Sequence, residues 1–228
     1  MLSRVLAAAL IGAACLAPAP ALAQNERPSA RYQGCRAAED VDRRLEGICE
    51  TIDEIHRRLD AARGQPRRRA DIQYAHAMAL LTIGDLGDDL ALRDCIEASR
   101  DSATFYTRQR APTRWAVLRL NIGNAMIALA SREDEPAHNE SVPTVIAAIE
   151  AIDRAAQPDL WASAHETLAD AYIVQGRGAD PHALRQAATA LRSALEVYRR
   201  PSFADRRERA QRRLEEIYRA LGEEPEAA

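Results

Sequence analysis

Apolar residues recur at helical spacing along most of the chain. In "HAMALLTIG", "IGNAMIALA", "LADAYIVQG" and "LEEIYRALG" they fall at every third or fourth position, and each segment closes on a small residue. Those closing residues, Gly84, Ala130, Gly176 and Gly222, stand 46 residues apart throughout. The same interval separates Pro66-x-x-Arg69-Ala70, Pro112-x-x-Trp115-Ala116 and Pro158-x-x-Trp161-Ala162. A fixed period of this kind marks a stack of like units. It predicts helices near residues 67–83, 113–129, 159–175 and 204–221. Pro opens the first three, in a helical turn where its missing N–H costs nothing.

A second helix is predicted between each pair, in "LRDCIEASRDSATFYTRQRAP", "VPTVIAAIEAIDRAAQP" and "PHALRQAATALRSALEVYRRP". Asp180-Pro181 supplies an N-cap followed by Pro at the first helical position. One more helix of this type comes first, because Cys49 precedes Pro66 by the same seventeen residues that separate Cys95 from Pro112. The predicted fold is all-α: about eight helices in stacked antiparallel pairs, an α-solenoid over residues 40–222. A single hairpin cannot bury its apolar face, whereas stacked hairpins share a continuous core. An N-terminal arm (24–39) precedes the array and a disordered tail (223–228) follows it. The last helix carries Arg206, Arg207, Glu208, Arg209, Arg212, Arg213, Glu215 and Glu216, as a terminal unit with nothing stacked on it should.

The opening "MLSRVLAAALIGAACLAPAPALAQ" changes the picture of where the protein works. One basic residue, a short apolar run and Ala21-Leu22-Ala23 predict a signal peptide over residues 1–23 and a periplasmic or secreted product. The run is shorter than the ~20 residues a membrane span needs, and no later segment reaches that length, so no stable membrane insertion is expected. Every basic side chain is arginine and none is lysine, which together with abundant alanine suggests GC-rich bacterial coding. The chain holds 31 basic and 34 acidic residues, a net charge of −3. That balance excludes a nucleic-acid role, which calls for a basic excess on one face.

Candidate chemistry is sparse. His165-Glu166 begins a zinc-protease pattern, but Ala169 stands where the second histidine is required. In repeat register His165 corresponds to Arg119 and Gln73, so it is expected at the helix surface. His76 takes a core position, equivalent to Ile122 and Leu168. Asp85, Asp88, Asp89 and Asp94 lack the alternation of a calcium loop and fit a helix start. Trp115 and Trp161 are expected to pack on the preceding helix. No metal or cofactor site is predicted.

Outside the leader three cysteines remain, which in an oxidising compartment implies one pair and one thiol. Cys49 and Cys95 occupy matching positions on successive helices, ~8–10 Å apart and beyond disulfide reach. If Asp40 or Asp42 caps a helix, Cys35 can fold back along it, so a Cys35–Cys49 disulfide is predicted with Cys95 buried.

The segments "IGNAM" (122–126) and "LADAY" (168–172), closed by Ala130 and Gly176, resemble the first helix of the tetratricopeptide repeat. Ala187, Leu191, Ala194 and Leu195 resemble its second helix. The likeness covers residues 49–222, with a period twelve residues longer than the family's thirty-four. It implies a right-handed superhelix whose first helices line a concave groove for a peptide or protein, in a non-enzymatic adaptor. The residues it projects into that groove are Tyr74, Met78, Asn121, Asn124, Glu166, Asp170 and Arg212. Members that grip a carboxylate use paired asparagines; Asn124 matches one, and Thr167 stands at the other. Two alternatives accompany this expectation: an envelope hydrolase working through Glu166 and Asp170, and a homo-oligomer joined through an uncapped end.

Overall fold

The computed structural model describes residues 27–33, 35, 43–132, 138–177 and 179–223. The leader, Asp40, Asp42, the middle of the polar connection after residue 132 and the last five tail residues lie outside this set. The described residues form eight helices of twelve residues or more: α1 (Arg43–Ala61), α2 (Pro66–Asp85), α3 (Asp89–Phe105), α4 (Pro112–Arg132), α5 (His138–Ile149), α6 (Pro158–Gln175), α7 (Pro181–Val197) and α8 (Ala204–Leu221). Short 3-10 turns cover Pro28–Arg31 and Pro201–Phe203. No strand occurs among the described residues, and the fold class is all-α.

Local chemistry accounts for the helix ends. Pro begins α2, α4 and α6. Asp88 caps α3 by accepting the Ala91 N–H, and Asp180 caps α7 by accepting the N–H groups of His182 and Ala183. Gly222 closes α8 in the left-handed conformation, at φ 68°.

Gly176 stands at the C-cap of α6, as the pattern suggested, and Gly84 one residue inside the end of α2, but neither is in the left-handed conformation. Gly84 lies within α2, and a Cβ there would sit 2.2 Å from the Leu92 side chain of α3. Gly176 faces Ala183 in the same way, with 2.5 Å to its Cβ. Close helix approach, not left-handed backbone, selects them.

One helix departs from its expected bounds. α5 starts ahead of Pro143 and stops at Ile149, although the apolar pattern runs on. The Asp153 carboxylate accepts the N–H groups of Ala155 and Ala156 and holds a turn before α6.

Each helix packs on the one before and the one after it; in addition α2 touches α4 and α4 touches α6. The core follows this order. A first cluster joins Tyr32, Ile52, Leu80, Leu92, Cys95 and the Ala125–Leu129 end of α4. A second starts from Ala116 and Leu120 of the same helix and runs through Val145, Leu168 and Leu191 to Ile217.

Residues 27–33 and Cys35 are tied to this core. Cys35 is bonded to Cys49, with Cα atoms 5.7 Å apart. Ser29 donates through its N–H and hydroxyl to Asp53, and the Tyr32 hydroxyl donates to Asp94 at 2.7 Å. Cys95 is a fully buried free thiol whose pKa burial pushes up to about 12.

Candidate binding face

Three side-chain contacts between successive first helices share one offset. Arg114 of α4 bonds Asp71 of α2 at 2.5 Å, Asn121 of α4 donates to the Met78 sulfur of α2 at 3.3 Å, and Arg213 of α8 pairs with Asp170 of α6. Each pair is separated by 43 residues, one helical turn short of the 46-residue period. A residue on one first helix thus meets its equivalent one turn earlier on the next.

The predicted groove residues lie along these contacts. Met78 is 45% exposed, while Asn121, its partner, is buried. Tyr74 is half-buried beneath the Arg114 guanidinium, 5.9 Å from its ring. Asn124 is half-buried, and its amide makes no hydrogen bond to the described residues. Glu166 accepts a hydrogen bond from the Tyr198 hydroxyl at 2.6 Å, which with burial raises the phenol's pKa. Asp170 is held by Arg213. Arg212 is exposed and pairs with Glu208 on its own helix at 2.9 Å.

Around Asp71 the structure gathers a cluster that the repeat pattern did not single out. The Tyr106 hydroxyl and Arg114 both donate to its carboxylate. Those bonds, Tyr106's foremost, hold its pKa below the usual carboxylate range. Tyr106 itself is buried, and Arg114 lies 4.6 Å from its ring. Ion pairs at such partly exposed sites contribute only ~0.2–1 kcal/mol each, so their value here is register.

His165 is not at the free surface. Its ring packs against Trp161 at 4.1 Å between centroids, and neither nitrogen finds a partner among the described residues. Burial, then the neighbouring Arg154, pushes its pKa down to about 4. Gln73 and Arg119, at the same repeat position, bond Asp101 and Thr144 on the following helix. The residue marks an internal seam, which its polar counterparts disguised. His76 is buried in T-shaped contact with His56, 5.0 Å between rings, and its pKa also falls to about 4, chiefly by burial.

Both tryptophans sit as a repeated motif. Arg108 lies 5.8 Å over Trp115, and Arg154 lies 4.3 Å over Trp161. The same arginines pair with Glu150 and Glu196. The signal for this motif was legible as Arg108 and Arg154, and as Glu150 and Glu196, each 46 residues apart.

Among the described residues no three His, Cys, Asp or Glu side chains converge as a metal site requires, and no helix is long and apolar enough to cross a membrane. In comparison with known proteins, no family model matches the chain, and no curated protein or solved structure gives a significant match.

Proposed function

We propose that the chain is an exported, non-enzymatic binding module: a tetratricopeptide-like solenoid whose helices α2, α4, α6 and α8 form a concave face for a peptide or protein segment. The constant 43-residue offset carries this proposal. It recurs at the α2–α4 and α6–α8 junctions, as expected if the first helices lie side by side at one register. A row of that kind presents residues one turn apart as a continuous surface, suited to an extended or helical peptide.

The unbonded amide of Asn124 and the exposed Met78 thioether lie along the row and offer a hydrogen-bonding group and an adaptable apolar contact. Glu166 and Asp170, the two acids of the hydrolase alternative, are engaged by Tyr198 and Arg213, which favours binding over turnover. Periplasmic or secreted residence is supported by the leader pattern and by the Cys35–Cys49 bond.

The test is a peptide-array screen with the purified protein, followed by fluorescence anisotropy on the best ligand. Asn124→Arg and Met78→Glu, one placing bulk and the other charge on the face, are expected to weaken binding by about tenfold or more, ~1.4 kcal/mol. Thermal melts control for folding. Affinity within twofold of the parent in both folded variants would refute the concave face.

A further inference from the structure

A second ladder joins the turns after α3 and α5 to the ends of later second helices. Arg108, just beyond α3, contacts the Glu150 carboxylate at 3.5 Å and its backbone carbonyl at 3.2 Å. Arg154, just beyond α5, bonds Glu196 at 2.7 Å. Both contacts span 42 residues, and the two rungs stand one period apart. The acceptor in each case is a glutamate at the C-terminal end of a second helix, next to Ile149 in α5 and in the last turn of α7.

Arg200 stands at the next interval, 46 residues after Arg154. It is exposed, as is Arg199, and neither side chain makes a hydrogen bond or ion pair with the described residues. The tryptophan that seats the guanidinium in the two earlier rungs is replaced by Arg207. Arg154, Arg199, Arg200 and Glu196 line a cavity of about 560 Å³, with Ala155, Pro158 and Val197 as its apolar wall. Three guanidinium groups against one carboxylate leave an excess of two positive charges.

We infer that this cavity binds the glutamate side chain of an acidic segment from another protein. The ligand chemistry follows from the rungs already filled, where the equivalent arginine holds a glutamate. A guanidinium fork matches a carboxylate with two parallel N–H donors, and the volume leaves room for a turn of the backbone that carries it. A second copy of this chain does not fit the same seat. Stepping back from Glu196 and Glu150 by the period gives Thr104 and then Arg58, exposed on α1. A copy stacked in register on α8 would set Arg58 against Arg200, and like charges in a desolvated contact are unfavourable.

The inference rests on the ladder alone and is independent of the concave face. Its test uses the full chain at physiological ionic strength, where exposed charges are screened beyond ~8 Å. The probe is a fluorescent alanine-based helical peptide, blocked at both ends, with glutamates in its last turns. Its glutamine counterpart and inorganic phosphate serve as comparisons. Expected are binding at least about tenfold tighter for the glutamate peptide than for the glutamine peptide, a similar loss in R199A/R200A, no loss in Asn124→Arg, and loss of the glutamate preference in Arg200→Glu, where two guanidinium groups face two carboxylates.

Equal binding of the glutamate and glutamine peptides, or an R199A/R200A variant within twofold of the parent, would overturn the site. Displacement by phosphate at sub-millimolar concentration would assign it to a phosphate ligand. Self-association in sedimentation that R200A abolishes would assign it to a second copy.

Discussion

The imidazoles of His76 and His165 are held neutral by burial, and this gives the protein an acid-side weakness. Their folded pKa values lie near 4, below the ordinary 6.5. The unfolded chain therefore takes up protons first as pH falls. Their contribution to stability is complete above about pH 6.5 and is lost progressively toward pH 4. Urea melts are expected to show up to about 2 kcal/mol lost per histidine between pH 7 and pH 4.5. His165→Gln, the residue type found at the same repeat position in α2, should flatten that slope by the share of one histidine. A slope unchanged by the substitution would place the acid sensitivity elsewhere.

The sequence placed His165 outside because its repeat equivalents are Arg and Gln. Long polar side chains, however, bury their stems while their heads seek a partner. Gln73 reaches Asp101 and Arg119 reaches Thr144 for this reason. Residue type showed polarity at this seam but not depth.

Helices were the most legible level, since period, Pro at the first turn and Asp at the cap all act within a few residues. The shortened α5 escaped because turn bonds from Ala151 to Ala148 and from Ile152 to Ile149 end it, followed by the Asp153 turn, while the apolar pattern runs on. The contacts between elements were legible only as small residues at fixed intervals. Gly123 shows what those residues do. A Cβ at this position would lie 2.6 Å from the Val145 side chain of α5.

Gly123→Ala carries opposing effects: alanine favours the helix by roughly 1 kcal/mol, while overpacking costs about 1–3 kcal/mol. A net loss of about 1 kcal/mol is expected in urea melts. Val145→Ala in the same chain should restore the helix gain of the alanine. Stabilisation by Gly123→Ala alone would mean that α4 and α5 can move apart at little cost.

At the scale of the whole molecule, helices touch their sequence neighbours, with α2–α4 and α4–α6 in contact besides, and the core passes from cluster to cluster through α4. A chain built this way tolerates removal of a unit better than one organised round a single centre. Deletion of residues 112–157, one full period from Pro to Pro, joins α3 directly to α6 with Pro158 standing where Pro112 stood. The shortened protein is expected to remain helical by circular dichroism and to melt cooperatively at a lower temperature. Loss of cooperative melting would argue for one indivisible core. The period made this organisation readable, whereas the 43- and 42-residue offsets depend on how long side chains settle between helices, which no spacing rule supplies.

Cys95 has a final consequence of its own. Enclosed and protonated, its sulfur is withheld from oxidants and from other molecules once α2 and α3 have closed over it. Of the three described cysteines, two are therefore committed to one bond while the third is kept out of it by enclosure rather than by want of a partner. Any mispairing has to happen earlier, while the chain is still open.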